Sequence, residues 1–167
     1  MKNKNARVLK TIALTGVLTA LYCVLAALMK VPFIGNIMLD LGYIALACAC
    51  VALGPLGAFV GAVGCGLESL LFSAYGLSYS WMAANLIIGL GCGIVFRKTK
   101  KLWIRIVAIW VFCAIGVLIT KTAMECALYN IPLLVKLPKN AIAFAVDAAT
   151  MTIGLLITRK IKFLKNK

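Results

Sequence analysis

Tyr79–Phe96 reads YSWMAANLIIGLGCGIVF, an apolar run ended by Arg97-Lys98-Thr99-Lys100-Lys101, and Leu102–Leu128 is apolar again as LWIRIVAIWVFCAIGVLITKTAMECAL. Both are long enough to cross a bilayer, which needs about 20 helical residues for a hydrocarbon core roughly 30 Å thick. The basic stretch between them is the polar loop that such a pair requires. The rest of the 167 residues agrees: 64% are hydrophobic, with 18 Lys+Arg against 4 Asp+Glu. A soluble domain averages roughly 45–50% apolar and about 25% charged residues, so it could not cover so apolar a core. The chain is therefore expected to be integral to a membrane.

Working outward from the quoted pair, six spans emerge. The first runs from about Val8 to Met29, and Lys30, Pro32, Asn36 and Asp40 mark the connector after it. The second begins at Ile37 or Leu41 and stops at Leu53, where Gly54-Pro55 breaks it. The third covers about Leu56 to Ala74, and Tyr75-Gly76-Leu77-Ser78 leads to the fourth. After the fifth, Asn130, Pro132 and Pro138 precede a sixth from about Asn140 to Thr158. The expected fold is an all-α integral membrane protein, a compact bundle of six transmembrane helices forming one domain over residues 1–167. A basic N-terminus (1–10) and a basic tail (159–167) flank it. A cleavable signal peptide is the competing reading of residues 1–29, but the apolar run exceeds the usual 7–15 residues.

The basic residues give the orientation. Lys2, Lys4, Arg7, Lys10, Arg97, Lys98, Lys100, Lys101, Arg105, Arg159, Lys160, Lys162, Lys165 and Lys167 fall on one side. Only Lys30, Lys136 and Lys139 fall on the other, and Lys121 lies within the fifth span. Positive charge marks the cytoplasmic side, so both termini are expected there. The net charge of +14 is thus a topological signal, and a nucleic-acid role is not needed to explain it.

With the orientation set, helical rise assigns depth. Glu68 lies about 13 residues into the third span, roughly 20 Å across. Asp147 lies about eight residues, roughly 12 Å, below the outer start of the sixth. Asn85 lies about 9 Å below the outer end of the fourth, with Trp81 and Tyr79 a turn above it. Lys121 and Glu125, spaced i, i+4, share a helical face near the outer end of the fifth. Asp40 opens the second span as a candidate N-terminal cap. All four acids of the chain thus fall in the outer half, and ionisable groups at such depth are functional-site candidates.

Several motifs carry less. Gly89-Leu90-Gly91-Cys92-Gly93 lacks the preceding strand of a dinucleotide loop and reads as close helix packing. No GxxxxGK[ST] occurs in the sequence, so energy for uphill transport would come from a partner or an ion gradient. There is no histidine, and the seven cysteines form no CxxC, so neither a metal site nor an enzyme centre is expected and no cofactor is implied. Gly16 and Ala20 form a small-xxx-small face on the first span, suited to close helix packing inside the bundle or against another protein.

Asp40-Leu41-Gly42-Tyr43-Ile44-Ala45-Leu46 with Leu53-Gly54-Pro55-Leu56-Gly57-Ala58-Phe59-Val60-Gly61, and Asn85-Leu86-Ile87-Ile88-Gly89-Leu90 ending at Phe96-Arg97-Lys98, resemble the substrate-binding (S) components of energy-coupling factor (ECF) transporters, the prokaryotic vitamin importers. Gly16-xxx-Ala20 is similar to that family's AxxxA docking motif, with Gly in place of the first Ala. The resemblance implies a multi-pass protein of the prokaryotic plasma membrane that captures a micronutrient near the extracellular face. It further implies a transmembrane coupling protein and an ATPase pair as partners, contacted through the first span. The expected ligand site comprises Glu68, Asn85, Lys121, Glu125 and Asp147, with Trp81 and Tyr75 stacking and Asn36 and Asn140 at the rim. Three carboxylates against Lys121 favour a cationic or donor-rich ligand of thiamine, pterin or deazapurine type, with riboflavin and pantothenate also compatible. The alternative from the residues alone is a small proton-coupled carrier working without ATPases.

Overall fold

The structure, a computed structural model, describes residues 2–28, 31–34, 37–73 and 76–161. Helix α1 (Lys2–Leu28) begins within the basic N-terminus, six residues before the expected span. It lies against the rest through Leu18, Tyr22 and Ala26, while Val8, Leu9, Ile12 and Val17 face outward. The connector after it is not purely irregular: β1 (Val31–Ile34) and β2 (Ile37–Leu39) pair antiparallel, with Val31 opposite Leu39 and Pro32 opposite Met38. Short β-branched and aromatic stretches suit such a hairpin, an addition to the all-α expectation.

Helices α2 (Gly42–Leu53) and α3 (Gly57–Phe72) are joined by a 3-10 turn, Gly54–Leu56. Gly54 has φ of 64°, a left-handed conformation that favours glycine, and Pro55 follows in the turn. A β-carbon on Gly57 would sit 2.9 Å from the Cys50 nitrogen, and one on Gly61 would meet the Leu46 side chain. The two helices therefore double back on each other as an antiparallel pair. Helix α4 (Tyr79–Lys98) packs on α3 so closely that a β-carbon on Gly89 would lie 2.5 Å from Ala58 Cα. The Gly89–Gly93 run is thus a packing surface. Arg105 ties the end of α4 to the next helix, donating from Nε to the Thr99 carbonyl and from Nη2 to the Phe96 carbonyl, both at 2.8 Å.

The fifth apolar run is continuous but changes register. Helix α5 (Leu102–Cys113) passes into a π-helical segment, Ala114–Lys121, and then α6 (Thr122–Tyr129). Helix α7 (Leu133–Lys160) starts seven residues earlier than the expected Asn140 and carries Pro138 inside it. The proline lies in its second turn, where it removes the bond to the Leu134 carbonyl without ending the helix. Tyr22, Tyr43, Leu46, Ile88, Ile109 and Met151 fill the centre, whereas Leu71, Phe72, Trp103, Ile119 and Ile153 are exposed. A surface this apolar fits lipid. Among the described residues, five helical stretches are long and apolar enough to cross a membrane, and one of these, Gly42–Phe72, is the doubled-back α2–α3 pair.

Candidate functional site

A cavity of about 250 Å³ opens between α3, α4, the π segment with α6, and α7, at the end of the bundle away from the Arg97–Lys101 loop. Glu68, Trp81, Asn85, Lys121, Glu125 and Asp147 all line it, as does Asn140. Asp40 lines it too, while its Oδ1 accepts the Gly42 N–H at 2.7 Å at the start of α2. All four acidic residues of the chain therefore border one cavity.

One side of this cavity is a hydrogen-bonded ion-pair network in which two lysines share one carboxylate. Lys121 Nζ is 3.1 Å from Glu125 Oε1, donates to Asn140 Oδ1, and stands 4.3 Å from the centre of the Trp81 ring. Asn140 Nδ2 donates to Thr122 Oγ1 at 2.9 Å and to Glu125 Oε2 at 3.2 Å. Lys136 Nζ reaches the same Oε2 at 3.4 Å. A buried ion pair is tolerable only when its remaining donors and acceptors are satisfied in this way. The local cause is the π segment: the Thr120 and Thr122 hydroxyls donate to the carbonyls of Ile115 and Val117, five residues back. The wider turn changes the helical register of Lys121 and Glu125.

The opposite side is acidic and only partly satisfied. Asp147, 2% exposed, lies within Coulombic range of Asp40, and Cys65 lies within range of Asp40 and Glu68. Asn85 Nδ2 donates to Tyr22 Oη on α1 at 2.9 Å, but Asn85 Oδ1, Asp147 Oδ2 and the Tyr43 hydroxyl meet no partner within full hydrogen-bonding geometry among the described residues. Tyr43 nonetheless lies close to Asp147, and the Cys65 thiol close to Asn85. Buried acceptors without donors are rare, because each loses its hydration uncompensated.

Three expectations need adjustment. Asn140 is not at the rim: it is 1% exposed and holds the network together. The balance of three carboxylates against one lysine omitted Lys136 and Lys139, which the early start of α7 carries to the cavity. Their one signal in the sequence is that they are basic residues on the side otherwise nearly free of them. Gly16 and Ala20 are exposed on α1, and a β-carbon on Gly16 would meet nothing within 4 Å, so this face does not pack inside the bundle. Tyr75 and Asn36 lie outside the described residues.

Apolar helices enclosing a charged cavity near one end define a membrane-embedded helical protein with a polar interior site. Residues 7–160 match the family model described as ECF-type riboflavin transporter, S component, and the chain belongs to that family. Its solved structural neighbours include the S-component for biotin from an ECF-type ABC transporter, with a TM-score of 0.69, 17% identity, and coverage of 95% of this chain and 94% of that one. At that identity the likeness concerns the fold. Two UPF0397 proteins of Streptococcus thermophilus, from strains ATCC BAA-491 / LMD-9 and CNRZ 1066, are each 33% identical over 100 residues, 59% of this chain and 52% of theirs. The matched region thus spans about half the length of these curated relatives.

Proposed function

We propose that this protein binds a small water-soluble vitamin or related nitrogen heterocycle in the Asp40–Glu68–Asp147 cavity and delivers it inward with a coupling protein and two ATPases. The observation that carries the ligand class is the pair of buried acceptors, Asn85 Oδ1 and Asp147 Oδ2, beside two further carboxylates. They call for a ligand edge rich in N–H donors. On the other side Lys121 and Lys136 share the single carboxylate of Glu125, with Lys139 beside them, so the cavity as a whole is polarised and not simply acidic. An amphoteric ring system, with donors at one edge and an acceptor or anionic substituent at the other, suits both sides. At about 250 Å³ the cavity falls just below the roughly 300–1,000 Å³ usual for small-molecule sites, which favours a compact ligand.

The topology proposed with this function has six crossings, both termini in the cytoplasm, the cavity toward the outside, and residence in the plasma membrane. The 14-to-3 distribution of basic residues and the antiparallel α2–α3 pair support it. The exposed Gly16–Ala20 face of α1 is proposed as the docking surface for the coupling protein.

The test is mass spectrometry of the small molecule that copurifies with detergent-solubilised protein, followed by calorimetry with that molecule and with riboflavin, thiamine and a pterin. A donor-rich heterocycle whose affinity falls at least about tenfold in Asp147→Asn supports the reading, since a charged hydrogen bond contributes roughly 1.5–3 kcal/mol. Binding only of a carboxylate-rich anion, indifferent to Glu68→Gln and Asp147→Asn, would overturn it.

A further inference from the structure

A second cavity, larger at about 780 Å³, lies at the opposite end of the bundle, between the α2–α3 turn, the α4–α5 loop and the end of α7. Arg97, Lys100, Arg105 and Arg159 border it, and no acidic residue does. Arg105 is committed to the Phe96 and Thr99 carbonyls. Arg97, Lys100 and Arg159 are exposed, and Arg159 stands within Coulombic range of Arg105. None of them has a carboxylate side chain to meet, because all four acids of the chain border the other cavity. Beneath this basic rim the walls are largely apolar, with Val51, Leu53, Leu56, Phe96, Leu102 and Leu155 beside the hydroxyls of Thr11 and Thr158.

We infer that this crevice is a binding site for an anionic phospholipid, its phosphate held by Arg97, Lys100 and Arg159 and its glycerol and upper acyl segments lying along the apolar walls. Like charges gathered without a counter-charge repel one another, and an anion entering between them removes that cost. A free phosphate would satisfy the rim but leave the apolar walls unused. A lipid meets both, and basic pockets between membrane helices favour anionic headgroups. The site is built from four separate parts of the chain, Thr11 of α1 included, so an occupying lipid would also brace α7 against the α4–α5 loop.

The test uses the full chain in detergent and native mass spectrometry. Phosphatidylglycerol is compared with phosphatidylcholine of the same acyl chains, and inorganic phosphate and soluble glycerophosphoglycerol serve as competitors. The expected result is retention of phosphatidylglycerol over phosphatidylcholine by roughly tenfold or more. The combined Arg97→Gln, Lys100→Gln and Arg159→Gln variant is expected to lose that preference. A Lys98→Gln, Lys101→Gln variant, changed at exposed residues of the same loop outside the crevice, is expected to keep it. Should the triple variant not purify, Lys100→Gln alone gives a partial loss that carries the same conclusion. Three results would overturn the inference: equal retention of both lipids by the unaltered protein; equal loss in the two variants, which marks a diffuse surface potential; or complete displacement of lipid by phosphate, which marks a free-anion site.

Discussion

Asn140 joins three neighbours at once: its Oδ1 accepts from Lys121, and its Nδ2 donates to Thr122 and Glu125. An uncharged amide can accept from an ammonium and donate to a carboxylate at once, and its second N–H remains for a third partner. Asn140→Leu keeps the approximate volume but strands those partners, and is expected to cost about 1–3 kcal/mol. A thermal melt in detergent should register it as a lower midpoint, and an unchanged midpoint would show the network to be incidental. Trp81→Leu removes the ring facing Lys121 Nζ at 4.3 Å and leaves the ion pair in place. Its expected cost is smaller, about 0.5–2 kcal/mol, measurable in the same melt. Depth along the helices was enough to select Glu68, Asn85, Lys121, Glu125 and Asp147 from the sequence. It could not reveal that Asn140 is buried, because a residue at the supposed start of a span has an assigned depth of zero, whereas α7 begins seven residues earlier.

Between elements, two glycines of similar appearance in the sequence have opposite surroundings. Gly89 faces the α3 backbone, where a β-carbon would approach Ala58 Cα to 2.5 Å, whereas Gly16 faces open space on α1. Gly89→Ala must therefore push α3 from α4, at an expected cost of about 1–3 kcal/mol. Gly16→Ala is expected to leave the melt unchanged or raise it by up to about 1 kcal/mol, through helix propensity alone. Gly16→Leu is the informative partner: the isolated protein should fold and bind ligand as before, while copurification with a coupling protein should fall. Full copurification would move the docking surface elsewhere. The π segment is the other decision made at this scale. Nothing in AIGVLITK announces a change of register, yet that change sets the helical face on which Lys121 and Glu125 meet α7.

For the whole molecule, charge separates along the bundle axis. The four acids border one cavity, and the charged residues of the crevice at the other end are all cationic. The number of crossings is testable through parity. If α2 and α3 each cross, the crossings number six and both termini lie on one side; if Gly42–Phe72 crossed once, five crossings would put them on opposite sides. Fusion of a reporter active only in the cytoplasm to each terminus in turn is expected to give signal from both, and signal from one alone would refute the six-crossing topology. The membrane class, the positions of the apolar runs, the Gly54-Pro55 break and the end of the bundle that holds the acids were all legible in the sequence. They follow from hydrophobicity and helical rise, which are local and nearly additive along the chain. The hairpin at 31–39, the early start of α7, the register shift before Lys121 and the pairing of lysines with Glu125 were decided only in three dimensions. Each depends on which helix faces contact one another, and that rotation is set by packing between distant segments.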